Sequence, residues 1–304
     1  MLALIAGATG FVGSRLAPAL LDDGLEVRCL VRDPGSERAG RLEALGCELV
    51  RADLAGMDEI GDAFAGVGIA YFLVHMMGRR ADYAGAERRA AARFAGHARE
   101  AGVGQLIYLG GLGADSPHLR SRHETAMVLR EEGPPLTYFR AAMVVGSGSE
   151  SYVLVRDIAE RLPAIPDAAW MQTLTQPIGI RDVVAYLRRA PFVEAARGRE
   201  VEIGGPEAIT PFDVVDRMAL ALGRRPPRRL PAVGATPGAV AAGAGAVTRG
   251  DGAIAAQLAL GLGGDTYGRD TSGAALFDVR PEPLDVTLQR AIEADELLAA
   301  AGPG

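Results

Sequence analysis

The chain has 304 residues, enough for one large α/β domain with a smaller lobe. Apolar residues make up 49% and charged residues 23%, which are ordinary globular proportions. A net charge of −6 argues against a nucleic-acid protein, which would show a clustered basic face, and a small molecule is the expected partner.

The first apolar run, Leu2 to Ala6, has the length and composition of a buried strand. It breaks into Gly7-Ala8-Thr9-Gly10-Phe11-Val12-Gly13, and amphipathic residues from Ser14 to Leu21 begin a helix. Strand, glycine triplet and helix in this order predict a dinucleotide-binding turn. Gly7 allows the sharp exit from the strand, Gly10 the approach of a pyrophosphate, and Gly13 the close lie of helix on sheet. The helix start then favours the dianion through its free N–H groups and dipole. With no basic region before the apolar run, a signal peptide is not expected. Pro18 removes one helical hydrogen bond and predicts a slight kink.

Leu25 to Val31 reads as the second strand, followed by Arg32 and Asp33. Arg32 lies 19 residues beyond Gly13, where such folds meet the adenosine ribose. An arginine there suits the 2′-phosphate of NADP, whereas the acid beside it suits the 2′-hydroxyl of NAD. NADP is the expected cofactor, with NAD as the alternative. Ser36 to Leu45 reads as a helix, Cys47 to Val50 as a strand ending at Asp53-Leu54, and Met57 to Phe64 as a helix. Gly68 to Val74 is a strand ending at His75, Asp82 to Ala101 a long arginine-rich helix, and Val103 to Leu109 a strand ending in Gly110-Gly111. His118 to Glu132 is a helix, and Pro135 to Phe139 a strand leading to Arg140. Strands alternating with helices predict a Rossmann-type, doubly wound parallel sheet with ligands at the C-terminal strand ends.

Ser151 to Leu162 has helical spacing, and Pro163 to Trp170 reads as irregular. Pro211 to Leu222 reads as a helix and Arg224 to Arg229 as a solvated loop. Residues 231–264, rich in Ala and Gly, suit either closely packed helices or the least ordered part of the chain. Leu276 to Pro281 reads as a docking segment and Leu284 to Leu298 as a terminal helix. No run is both long and apolar enough to predict an integral membrane segment. Cys29 and Cys47 sit in apolar runs and read as core thiols of a reducing, cytoplasmic compartment.

Several motifs together resemble one family. Gly7 to Gly13, Asp53-Leu54, Tyr108 to Leu112, Arg140 to Gly146 and Gln176 to Val184 are similar to extended and atypical short-chain dehydrogenase/reductases. The closest resemblance is to the NmrA-like NAD(P)H-binding group, which includes relatives of complex I accessory subunits, and it spans roughly residues 1–205. It implies that Asp53 and Leu54 contact the adenine and that Val74 lines the cofactor; Leu73, His75 and Gly110, at the C-terminal strand ends, are expected to line it too, His75 near the nicotinamide. It also implies that residues 1–146 and 178–205, with a strand at Glu200 to Ile203, form the dinucleotide-binding domain. Residues 147–177 and 206–304 would form the smaller substrate lobe that covers the cleft.

The catalytic centre departs from that superfamily, whose active members pair a tyrosine with a lysine four residues on, beside a serine. Here His118 holds the tyrosine position, Arg122 the lysine position, and Gly110-Gly111 the serine strand end. All 32 basic residues are arginine, so no lysine can replace the missing one. His118 could pass a proton, since imidazole titrates near neutrality. Arg122 could hold a ribose or phosphate but cannot act as a base. His118 and His123 diverge on a helix, and no metal site is expected. Two functions follow: an NADPH-dependent reductase of a small carbonyl, quinone or flavin-like acceptor, or a non-catalytic NAD(P)H-binding sensor or assembly factor.

Overall fold

A computed structural model of the chain describes residues 1–56, 58–76, 82–113, 116–232 and 234–300. The strands are β1 (Leu2–Ala6), β2 (Glu26–Val31), β3 (Glu48–Arg51), β4 (Val67–Phe72), β5 (Gln105–Gly111), β6 (Leu136–Ala141), β7 (Val144–Val145), β8 (Ala164–Asp167), β9 (Ile178–Gly179), β10 (Glu200–Ile203) and β11 (Arg228–Pro231). The helices are α1 (Gly13–Asp22), α2 (Glu37–Ala44), α3 (Tyr83–Glu100), α4 (Pro117–Glu132), α5 (Glu150–Arg161), α6 (Ile180–Arg189), α7 (Pro211–Ala221), α8 (Pro237–Val247), α9 (Gly252–Leu260) and α10 (Leu284–Ala300).

Seven strands form one parallel sheet in the order β3-β2-β1-β4-β5-β6-β10. Alternate side chains leave it on opposite faces. Ala3, Ile5, Val27, Cys29, Tyr71, Ile107 and Phe139 meet α1, α2 and α6 on one face, while Leu4, Ala6, Phe72, Leu106 and Tyr108 meet α3 and α4 on the other. Burial on both faces explains why these strands read as continuous apolar runs. On the second face the Phe94 ring lies 5.0 Å from Phe64 and 5.4 Å from Phe72. Each such ring, fully buried, contributes roughly 1.5–3 kcal/mol. β10 joins the sheet late in the sequence by pairing with β6.

A smaller C-terminal region has its own core, in which Tyr152 of α5, Phe212 and Met218 of α7, and Leu284 and Leu288 of α10 are buried together. α8 and α9 pack closely, with a Cβ on Gly245 reaching within 2.7 Å of the Gly252 carbonyl and the reverse equally close. The alanine- and glycine-rich stretch is thus a tight helical hairpin. Phe277 is buried against Phe139 and Tyr186 at 5.2 and 5.7 Å, docking the 276–281 segment on the sheet. Among the described residues no helix is long and apolar enough to cross a membrane.

Three local expectations are corrected. Within Met57 to Phe64 only Gly61–Phe64 is helical, as a single 3-10 turn; Met57 itself lies outside the described residues. Arg93 donates to the carbonyls of Gly56 and Asp58, and the Asp58 carboxylate takes the Asp53 amide, which holds this stretch open. Ala164–Asp167 within the expected irregular stretch is a strand, paired with Arg228–Pro231, where the arginine-rich segment was expected to be a solvated loop. Proline confines such a pair to a short edge ladder. The first helix, α1, spans Gly13 to Asp22 with Pro18 inside it, in agreement with the helix expected there.

One buried acid ties the smaller region together. Asp157 on α5 is fully buried, and its carboxylate accepts the Arg249 amide at 2.5 Å and the Thr248 hydroxyl at 3.2 Å. Asp157→Ala should lower unfolding stability by about 1.5–3 kcal/mol, the usual worth of hydrogen bonds to a charged group. The urea midpoint measures this, and an unchanged midpoint would show that the contact is idle.

Candidate cofactor and catalytic site

The first β–α turn is built on two close approaches. Gly7 has φ +87°, and a Cβ there would stand 2.6 Å from the Leu73 carbonyl oxygen. A Cβ on Gly13 would stand 2.3 Å from the Gly7 carbonyl oxygen. Both neighbours are backbone and cannot swing away, so both positions demand glycine. Gly10 is exposed at the tip of the turn, where a Cβ would meet only the Gly7 carbonyl, at 3.1 Å. Val12, at the helix N-cap, provides no side-chain cap, and the first turn of α1 carries no acid. Among the described residues the Phe11 and Val12 amides donate to no protein acceptor. Uncapped amides beside a bare-backbone cradle fit a dinucleotide pyrophosphate.

Arg15, which the sequence did not single out, fixes this turn. Its guanidinium lies 4.5 Å from the Phe11 ring centroid and donates to the carbonyls of Phe11 at 2.7 Å and Ser147 at 2.8 Å. The cradle is therefore pinned to the segment after β7. At the end of β2 Arg32 is exposed with no partner among the described residues. Asp33 instead holds its own turn, its carboxylate accepting the Gly35 amide at 3.0 Å and its carbonyl the Ser36 hydroxyl at 2.8 Å. Asp53 is half-buried after β3, with its carboxylate on the Ala55 amide, and Leu54 is buried beside it. Leu73 and Val74 are partly exposed against the cradle, close to Gly7. Thr9 is half-buried in the turn.

At the ends of β4 and β5 the structure gathers a second set of groups. His75 and His118 pack with ring centroids 5.1 Å apart. His118 enters at the start of α4, which Pro117 opens and whose first turn the Ser116 hydroxyl caps at the Leu119 amide. Arg122, one turn further on, is not open to the cleft at its guanidinium. It donates to the Leu109 carbonyl and lies 5.5 Å from the centroid of the Tyr108 ring. Gly110 is buried, and a Cβ there would stand 2.6 Å from the Tyr138 ring, so packing alone accounts for this glycine.

Sequence reasoning missed Glu87. Its side chain is 1% exposed, and one carboxylate oxygen accepts the Met76 amide at 2.9 Å and faces His75 Nδ1 at 3.3 Å. The Thr125 hydroxyl lies 3.4 Å from the other oxygen. A signal was present, because Glu87 falls on the same α3 stripe as the buried Ala90, Ala91, Phe94 and Ala98. A lone acid on an apolar helix face requires a partner.

Electrostatics separates the two histidines. Burial, then the positive charge of His75 when protonated and of Arg122, against a smaller opposing pull from Glu87, takes His118 down to about 3. It is neutral at physiological pH, and its Nδ1 is buried without a partner among the described residues. His75 is also held below its ordinary value, by desolvation and by Arg122, although Glu87 pulls it up. Glu87 stays ionised. Burial would raise its carboxyl, but the His75 hydrogen bond, the His75 and Arg122 charges and the Met76 amide outweigh that and lower it.

A seven-stranded parallel sheet with a glycine cradle at its first β–α turn defines the class, an NAD(P)-binding Rossmann protein. Residues 2–179 match the NmrA-like family, and the chain belongs to that family of atypical short-chain dehydrogenase/reductases. It is 29% identical over 231 residues, covering 73% of this chain and 74% of the other, to (4-alkanoyl-5-oxo-2,5-dihydrofuran-3-yl)methyl phosphate reductase of Streptomyces griseus. Over 67 residues, 21% of this chain and 20% of the other, it is 40% identical to the NmrA-like family domain-containing oxidoreductase ptmS of Penicillium ochrochloron. The fold is shared with UDP-glucuronic acid 4-epimerase from Bacillus cereus, solved with UDP-glucuronic acid and NAD, at 15% identity and TM-score 0.72 over 98% of this chain and 100% of that one. The structure of gox2253 superposes equally well, at 21% identity and TM-score 0.72 over 98% of each chain.

The cradle makes a direct prediction. Gly13→Ala should abolish NAD(P)H binding, because the added methyl must push Gly7 out of the turn. Titration of cofactor fluorescence measures this, and binding retained within a few-fold would contradict the assignment.

Proposed function

We propose that the chain is an NADPH-dependent oxidoreductase that reduces a small carbonyl, quinone or flavin-like acceptor. The observation that carries this reading is the glycine cradle at the end of β1, set beside an accessible imidazole, His75, at the end of β4. In this reading Gly7, Thr9, Gly10, Phe11, Val12 and Gly13 hold the pyrophosphate. Asp53 and Leu54 border the adenine, and Leu73 and Val74 lie along the cofactor. The smaller C-terminal region forms the acceptor side of the cleft.

The missing tyrosine–lysine pair narrows the acceptor. A quinone, a flavin or a conjugated carbonyl spreads the charge that arrives with a hydride and needs less help from an acid than an isolated ketone. The Streptomyces relative is by name a reductase acting on an oxo-dihydrofuran that bears an alkanoyl group, an electron-poor compound of this sort. Arg32 supports NADP over NAD, being exposed and unpaired among the described residues while Asp33 is occupied by its own turn. The non-catalytic sensor is the second reading, and one observation favours it: Arg122 is already satisfied by Leu109 and Tyr108.

NADPH should bind more tightly than NADH in a fluorescence titration. Arg32→Ala should weaken NADPH alone by roughly 10- to 100-fold, the worth of a charge-assisted contact of about 1.5–3 kcal/mol. Equal affinities unaffected by the substitution would remove the case for NADP. NADPH oxidation should be catalysed with at least one acceptor among quinones, flavins, aldehydes and conjugated lactones. Bound cofactor with no turnover across that panel would leave the sensor.

A further inference from the structure

We propose that His75 is the proton donor of the reaction and that Glu87, lodged beneath it, is the residue that positions it. This rests on the reductase reading and names the group that replaces the absent tyrosine and lysine.

Three observations converge on this pair. His75 is the ring that can both reach an acceptor and exchange protons with solvent, since its side chain is 32% exposed while Glu87 is 1% exposed. Glu87 lies 3.3 Å from Nδ1 and also accepts the Met76 amide at 2.9 Å, which fixes the carboxylate relative to the backbone that carries His75. A buried carboxylate on Nδ1 holds the proton there and leaves Nε2 as the nitrogen free to pass a proton, the arrangement that orients an imidazole for proton transfer. His118 does not fit the role. It lies against His75 at 5.1 Å with a buried, unpartnered Nδ1, and so serves as the wall that sets the ring plane of its neighbour.

Bound NADPH would supply a hydride to an electrophilic carbon of the acceptor. As that C–H bond forms, the π pair of the acceptor moves onto its oxygen. The oxygen takes the Nε2 proton of His75, the N–H bond breaks, and a neutral imidazole remains. Solvent at the exposed edge of the ring restores the proton, so NADPH, acceptor and one proton give NADP and the reduced acceptor. The groups facing His75 are Glu87 from α3 and His118 and Arg122 from α4, with Tyr108 of β5 beneath the Arg122 guanidinium. Arg122 opposes the imidazolium and Glu87 favours it. Activity therefore falls as pH rises through the His75 pKa, on the acid side of its ordinary value of 6.5.

Two measurements test this. In the cofactor-free protein, NMR titration of the four histidine imidazoles, with His75→Gln to assign its signal, should show a His75 pKa that drops by about one pH unit in Glu87→Gln. With the best acceptor from the NADPH-oxidation panel, His75→Gln should lower kcat at least about 100-fold with NADPH affinity retained, the low end for loss of a proton donor. Glu87→Gln should shift the falling limb of the pH profile to lower pH. Turnover by His75→Gln within a few-fold of wild type, with the same limb, would overturn the role of His75 and leave the reductase reading standing. A His75 pKa unmoved in Glu87→Gln would overturn the role of Glu87. Absence of turnover in the wild type with every acceptor, with NADPH bound, would remove the reductase reading and this inference with it.

Discussion

Gly7 and Gly13 bring three stretches of backbone within van der Waals reach of one another: the end of β1, the start of α1 and the residues following β4. No side chain fits between them, since added methyls would stand 2.6 Å from the Leu73 carbonyl and 2.3 Å from the Gly7 carbonyl. This contact sets the angle at which α1 leaves the sheet. It also leaves the Phe11 and Val12 amides without an acceptor among the described residues, and it lays Leu73 and Val74 alongside the cradle. His75 follows directly, so the position of the more exposed of the two histidines in the site depends on the same contact. Arg15 then anchors the turn to Ser147 and hence to the chain leading into the smaller region.

Beneath that surface the site is a charge cluster buried between α3, α4 and the sheet. Glu87 and Arg122 are each satisfied by backbone, through Met76 and Leu109, and each biases His75 in the opposite sense. A second cation beside Arg122 would be costly where the ring is largely desolvated, and burial keeps His118 neutral. Arg122, expected at the lysine position of the tyrosine–lysine arrangement, is turned inward to pack on Tyr108. On the proposed reading, the work of holding a proton falls to His75 at the neighbouring strand end.

The fold was largely legible in the amino-acid sequence because a sheet buried on both faces writes itself as short apolar runs separated by helical periods. The cradle was legible because its glycines answer to backbone geometry rather than to packing. Less local features were not. Glu87 hides in an arginine-rich helix, where one more charge reads as solvated until its register with Ala90, Ala91, Phe94 and Ala98 is noticed. Arg122 could be placed at the lysine position, but its inward turn depends on the Tyr108 ring and the Leu109 carbonyl, both on another element. The pairing of Ala164–Asp167 with Arg228–Pro231 joins segments far apart in the chain, and prolines and arginines mask it. Met57 to Phe64 had helical spacing, yet the Arg93 and Asp58 contacts outcompete a helix there.

The most direct test of the account is a crystal structure of the NADP complex. The pyrophosphate should lie on the Phe11 and Val12 amides, the 2′-phosphate on Arg32, and the nicotinamide ring beside His75 with Glu87 still on the far side of the imidazole. A nicotinamide lying away from the ends of β4 and β5, with His75 out of reach of its reactive face, would contradict it.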